Sequence, residues 1–176
     1  MAEPKADSNS SNNPVIRNGE AQLIYEVYLR GTVNPGMVKL VTKGIKQAEA
    51  AEADLIVFTI DTYGGLVDSA IKIKDAIFNS SIKTVTYVAN RAWSAGALIA
   101  LSGDTLAMVK GSSIGAAETR PKEEKYISAL RKEFKATAER RGKDSQLAAA
   151  MVDVDIEIEG VIKKGKLLTL TSSEAK

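Results

Sequence analysis

From Ala21 onward, the chain alternates short apolar runs with segments whose apolar residues recur every three or four positions. Leu23–Leu29 (LIYEVYL) predicts a strand. Asn34-Pro35 reads as a helix N-cap followed by proline at the first helical position. Met37, Val38, Val41, Ile45 and Ala48 then keep helical spacing to about Ala51. Leu55–Ile60 (LIVFTI) is a continuous apolar run, as expected of a strand covered on both faces. The turn Asp61-Thr62-Tyr63-Gly64-Gly65 leads into a helix with Val67, Ala70, Ile73 and Ile77 on one face. Lys83–Ala89 predicts the next strand, Ser94–Leu101 a short helix of small residues, and Thr105–Val109 another strand. This rhythm predicts an α/β fold with a mostly parallel sheet and crossover helices.

After Gly111-Ser112-Ser113-Ile114-Gly115-Ala116, a longer helix is expected over about Lys122–Arg141, with Tyr126, Leu130, Phe134 and Ala138 as its apolar stripe. A short helix follows at Ser145–Met151. Ile156–Ile162 and Lys166–Leu170, separated by Lys163-Lys164-Gly165, read as a hairpin. Thr171-Ser172-Ser173-Glu174 resembles a helix start with a capping residue and an acid behind it, so the chain looks cut short. Met1 to Glu20 is polar and rich in Ser, Asn and Pro and reads as a flexible lead-in. Residues 21–176 are then one domain, without internal repeats.

Composition narrows the chemistry. Net charge is +2 and aromatics are 5% of the chain, with no interleaving of basic and aromatic residues, so nucleic acid is not the expected partner. There is no cysteine, which removes disulfides, thiolate metal sites and cysteine nucleophiles. There is also no histidine, which rules out a Ser-His-Asp triad and imidazole metal sites. Asp153 and Asp155 are too isolated to suggest a metal, and no cofactor is expected. Any nucleophile must be a hydroxyl, a carboxylate or a lysine. No apolar run is long enough to cross a membrane.

Two segments could carry chemistry. Arg91-Ala92-Trp93-Ser94-Ala95-Gly96 puts a serine between a strand and a helix of small residues. That is where a nucleophile would be presented, with the following amide aimed at a developing oxyanion; an ordinary serine N-cap would look the same. Gly64-Gly65 sits at the carboxyl end of a strand, where two glycines allow close approach of backbone to substrate, or simply a tight turn. Without histidine, a lysine would have to act as base for Ser94. At an ordinary pKa near 10.4, about one lysine in two thousand is neutral at pH 7. Lowering that value to roughly 7–8 needs burial or neighbouring cations. Lys135, beside Phe134 and one turn after Arg131 and Lys132, is the best candidate. Lys132 is the local rival, and a solvated helix face is the bland alternative for both.

Together these segments resemble the ClpP-class membrane-bound serine proteases of the NfeD family, the stomatin-operon partner proteases. Asp61-Thr62-x-Gly64-Gly65 resembles the family's glycine-pair motif, Ala92-x-Ser94-Ala95-Gly96 its nucleophile motif, and Gly111–Ala116 the segment beside its substrate groove. Phe134-Lys135-Ala136 and Arg141-Gly142-Lys143 resemble the helix with the catalytic lysine, and the Ser94-to-Lys135 spacing is similar. The resemblance covers Gln22 to the end. It implies a ClpP/crotonase-like fold of stacked ββα units and a serine endopeptidase with a Ser94–Lys135 dyad. Gly65 and Ala95 amides would form the oxyanion hole. Gly64, Leu66, Ser112, Ser113, Ile114, Gly115 and Ala116 would line the substrate strand, which would pair with an exposed edge there.

The implied substrate is a hydrophobic segment of a stomatin-like membrane protein. The implied assembly is a homodimer, in an extracytoplasmic domain of a membrane-anchored protein. Tyr63 departs from the family pattern, which usually has proline there, and the early end omits an expected strand. Two other functions fit the same fold class: a crotonase-like acyl-CoA enzyme, and a non-catalytic scaffold that binds membrane partners.

Overall fold

The computed structural model describes residues 13–17 and 20–176, the side chains from Gln22 onward. Strands β2 (Glu20–Arg30), β3 (Leu55–Thr62) and β4 (Thr84–Trp93) run parallel at the centre of one sheet. Helices α1 (Pro35–Ala50) and α2 (Val67–Phe78) make the crossovers. The α1 start is as expected: Asn34 Oδ1 accepts the Met37 N–H at 3.0 Å, and Pro35 opens the helix. Of the expected flexible lead-in, residues 1–12, 18 and 19 lie outside the described set, while Asn13–Arg17 is a strand, β1. It pairs antiparallel with β2 from Asn13↔Ile24 to Arg17↔Glu20.

The functional end of the molecule is set by β4, which changes partner along its length. Val85–Val88 pair with β5 (Thr105–Met108), and Arg91–Trp93 pair with β6 (Ser113–Gly115), both parallel. Between them the register with β3 slips, from Ile60↔Val88 to Thr62↔Ala92, so β4 carries two extra residues. That slip raises the end of β4 and hands the chain to α3 (Ala95–Ser102), all eight of whose residues are buried. The first turn of α3 has no room for a side chain at Gly96, where a Cβ would meet the Thr62 methyl at 2.4 Å. Phe58, Ile60, Leu29, Leu98, Ile99 and Phe134 are fully buried in the core between sheet and helices. Phe134 comes from α4 (Glu124–Arg140), which packs with α5 (Ser145–Ala150) across α3.

The C-terminal segment differs from the expected hairpin. Ile156–Ile162 is not a strand; its one bridge is internal, Ile158↔Ile162. Thr169–Thr171 is instead β7, antiparallel to β6 from Ser113↔Thr171 to Gly115↔Thr169. Leu168 and Leu170 are buried there. Pairing with β6 covers a sheet edge and buries two leucines, whereas Ile156, Ile158 and Ile162 form a weaker apolar face, interrupted at Gly160 and only partly buried against the core. At Thr171–Glu174 the chain forms a turn, with the Glu174 carboxylate accepting from both the Thr171 N–H and hydroxyl at 2.8 Å.

Candidate active site

Ser94 occupies the cap position of α3 without behaving as a cap. Its backbone has φ 53° and ψ −124°, and its hydroxyl makes no capping bond. Asn34 and Asp144, by contrast, take extended backbone angles and accept amides of their own helices. The ordinary N-cap reading therefore falls. A serine at positive φ on a sharp strand-to-helix turn is the geometry that lifts a nucleophilic hydroxyl out of the sheet. The turn is tied down by the Ser94 N–H donating to the Gly115 carbonyl at 2.8 Å, and by the Ala97 N–H donating to the Ser94 carbonyl at 2.9 Å. The Ala95 N–H, at the first helical position, has no intrahelical acceptor.

The glycine pair lies against this turn, and each glycine is needed for its own reason. At Gly64 (φ 106°) a Cβ would stand 2.6 Å from the Ser94 Cβ and 2.9 Å from the Trp93 carbonyl oxygen. At Gly65 (φ 156°) it would stand 2.2 Å from the Val33 oxygen. Val33 donates to the Gly64 carbonyl and accepts from the Leu66 N–H, both at 2.9 Å. These bonds fix one edge of the segment and leave the Gly65 N–H without a backbone acceptor among the described residues. Thr62, buried beneath, accepts the Gly64 N–H at 3.0 Å and donates to the Gly31 carbonyl, which sets the turn.

Ser94, Gly65 and Leu66 open on one cavity of about 660 Å³. Val67 and Ile71 of α2 form one wall, Tyr126, Ala129, Leu130 and Glu133 of α4 another, and residues 118–121 the rim. The Glu133 carboxylate is held from behind by Lys74, which is 91% buried by its 9% exposure and also meets Asp75 at 2.9 Å. Burial alone would pull the Lys74 amine down, but the Glu133 and Asp75 carboxylates outweigh it and hold it above its ordinary value. Lys74 thus pairs with both carboxylates and balances the Glu133 charge from behind the cavity wall. Thr119 also lines the cavity, and its buried hydroxyl is the one buried side-chain polar atom without a hydrogen-bond partner among the described residues. Among the described residues, no group of acidic side chains could hold a metal ion.

Two groups of expected residues stand away from the cavity. Lys135 does not line the cavity, nor does Lys132. It stands two residues past Glu133, roughly 200° around the axis of α4, half-buried and with no ion pair or hydrogen bond among the described residues. Ser112, Ser113, Ile114, Gly115 and Ala116 offer no free edge to a substrate. β4 and β7 flank Ser113–Gly115, the Ser112 carbonyl accepts from Ser172, and the Ala116 N–H donates to the Leu168 carbonyl. Their part is to hold Ser94 through Gly115. Glu133, Lys74 and Thr119 were not singled out from sequence, because none belongs to a local motif; the unpaired hydroxyl becomes visible only once the cavity is formed.

The arrangement of this sheet and its helices defines the ClpP-like protease fold. ClpP1 from Listeria monocytogenes superposes with TM-score 0.66 at 19% identity, over 85% of this chain and 84% of that one. The 1510-N membrane-bound stomatin-specific protease, in a lysine-to-alanine variant bound to a substrate peptide, superposes with TM-score 0.75 at 25% identity, over 88% and 71%. The chain belongs to the family of NfeD1b N-terminal domains, whose family model matches residues 23–176. Membrane protein NfeD1b of Bacillus subtilis is 36% identical over 89% of this chain and 37% of its own length. Membrane-bound protease PH1510 of Pyrococcus horikoshii is 28% identical over 81% and 36%. The chain thus spans little more than a third of these relatives. Among the described residues, no helix is long and apolar enough to cross a membrane.

Proposed function

We propose that this chain is the peptidase domain of a membrane-associated serine protease that cuts polypeptides through an acyl-enzyme at Ser94. The observation that carries the reading is Ser94 itself: a residue held at φ 53° at a helix N-terminus, its hydroxyl uncommitted, on the wall of an apolar cavity. Such backbone strain costs about 1–3 kcal/mol and persists where surrounding structure over-determines it, often at active sites. Ser94 Oγ attacks the scissile carbonyl, and the oxyanion is received by the Gly65 and Ala95 amides, each donor of this kind being worth about 2.7–4 kcal/mol. The Lys135 amine takes the hydroxyl proton and returns it to the leaving amine, and water then hydrolyses the ester.

The assignment of Lys135 rests on family spacing. In the 1510-N protease, the serine and the lysine replaced by alanine stand the same interval apart as Ser94 and Lys135. Leu66, Val67, Ile71, Tyr126 and Leu130 suit an apolar side chain, and the substrate is a hydrophobic segment of a stomatin-like membrane protein, as the name of the 1510-N protease suggests. The substrate strand runs along Gly65-Leu66, in a homodimer outside the cytoplasm.

Hydrophobic-rich peptides incubated with the protein, with products read by mass spectrometry, test this. Cleavage lost in Ser94→Ala and Lys135→Ala but kept in Lys132→Ala is the expected result; full activity of Ser94→Ala sinks it. The place of Lys135 off the cavity favours a second reading, a scaffold that binds such segments without cutting them. Equal binding by wild type and Ser94→Ala, with no turnover by either, is its signature.

A further inference from the structure

The ends of β3 and β4 carry a cluster that this mechanism does not use, outside the cavity but joined to its floor. Tyr63 and Trp93 meet edge to face, ring centroids 5.5 Å apart and planes at 77°. The Arg91 guanidinium lies 4.5 Å from the Tyr63 ring centre and 5.8 Å from that of Trp93. Asp61 pairs with Arg91 at 3.4 Å, and Arg91 also donates to the Tyr63 hydroxyl. Trp93 Nε1 donates to Ser113 Oγ at 2.8 Å. Polar groups are paired and charge is balanced within the cluster, yet Tyr63 is left 68% exposed. The cluster holds a large ring rigid in solvent instead of burying it. Its place is equally specific: Trp93 immediately precedes Ser94, and Tyr63 immediately precedes Gly64, which packs on Ser94 and the Trp93 carbonyl.

We infer that Tyr63, Arg91 and Trp93 form a specificity subsite for an aromatic side chain of the polypeptide substrate, adjoining the reacting centre. This rests on the peptidase reading of Ser94. The rings are already fixed by hydrogen bonds and by the cation, so a ligand ring meets a surface with little freedom left to lose. Aromatic rings gain from offset or edge-to-face contact at 4.5–7 Å in a way that aliphatic chains do not. Because Arg91 is paired with Asp61, the cluster offers no net charge to attract a basic or an acidic side chain. Aliphatic side chains are served by the cavity next door. The substrate class is therefore a hydrophobic polypeptide with an aromatic residue close to the scissile bond.

The chain has one tryptophan, and it is Trp93, so intrinsic fluorescence reports on this subsite without catalysis. The Ser94→Ala variant is titrated with short acetylated serine-alanine peptides carrying one phenylalanine or one leucine at each position in turn. At one position the phenylalanine peptide should shift Trp93 emission saturably and bind about three- to tenfold tighter than its leucine counterpart. Adding Tyr63→Leu should abolish that preference at an unchanged melting temperature, and adding Tyr63→Phe should keep it. Equal affinities throughout, no saturable response, or a preference that survives Tyr63→Leu would overturn the inference. Failure of the wild type to hydrolyse any peptide, with the phenylalanine preference intact, removes the peptidase reading and leaves the subsite standing.

Discussion

A methyl group placed on Gly64 would collide with the Ser94 Cβ at 2.6 Å, and neither partner is the loose end of a side chain. Gly64→Ala should therefore displace the nucleophile as well as strain a residue at φ 106°. Displacement by an ångström is enough for a fall of about a hundredfold in kcat/KM. Gly142, also at positive φ but with open space around it, is the control. Gly142→Ala should cost stability of about 1 kcal/mol and leave kcat/KM alone; equal kinetic loss in both variants would reject the argument. Thr119 gives a second prediction at this scale. An unpaired buried hydroxyl is a cost to the empty protein of about 1–3 kcal/mol, so Thr119→Val should raise the melting temperature. It should also weaken peptide binding to the Ser94→Ala variant, with Thr119→Ser restoring it; unchanged binding in Thr119→Val would remove Thr119 from the site. Ser94 and the glycine pair were legible in sequence because each sits in a local pattern tied to a strand end. Thr119 was not, since burial without a partner is a property of the assembled cavity.

Helix α3 presents Ser94 at one end and is clamped at the other. Arg141 Nε donates to the Ser102 carbonyl at 2.6 Å, and Lys143 Nζ to the Gly103 carbonyl at 2.8 Å, so two cations meet the negative end of the helix dipole. Asp104 stands beside them. Burial would raise its carboxyl, but bonds from Thr84 and the charges of Arg141 and Lys143 hold it below the ordinary value. For Lys143, burial first and then the Arg141 charge push the amine down to about 8, with Asp104 opposing. The native state thus gives up the Lys143 proton at lower pH than the unfolded chain, whose ordinary value is 10.5. Native protein binds fewer protons in that window, so stability rises with pH between about 8 and 10.5. The gain is reduced by solvent screening, because Lys143 is only half-buried. Melting temperatures of wild type and Lys143→Met, taken at steps across this window, should converge or cross in favour of wild type as pH rises; a constant gap would remove the effect. The sequence announced α1, α2, α4 and α5 through caps and spacing at positions such as Asn34, Val41 and Phe134. It misassigned Lys166–Leu170, because the partner of a strand is chosen by an edge elsewhere in the fold. Here the edge of β6 competes with a hairpin that has a weak apolar face.

At the scale of the whole molecule, the fold class was readable from the order of elements, whereas the split of β4 between β5 and β6 was not. The split decides where the site lies: it lets Trp93 and Ser94 rise past the end of β3 and receive support from Gly115 of β6. Strand β6 is itself held in place on its far side by β7, where Leu170 is paired with Ile114 and buried. The last strand of the chain is therefore linked to the nucleophile through two layers of backbone bonds, Leu170 to Ile114 and Gly115 to Ser94. Leu170→Ala should destabilise by about 2–5 kcal/mol, as for any buried leucine. Ile45→Ala, in α1 on the other side of the molecule, removes comparable apolar bulk from a buried position with no such link. Both variants should melt earlier. Assayed well below their melting temperatures, where each is folded, only Leu170→Ala should also lose kcat/KM, since only there does the support of the Ser94 amide loosen. Equal kcat/KM in the two variants would mean that β7 supplies stability alone and that the turn at Ser94 is set within β4, Gly64 and α3.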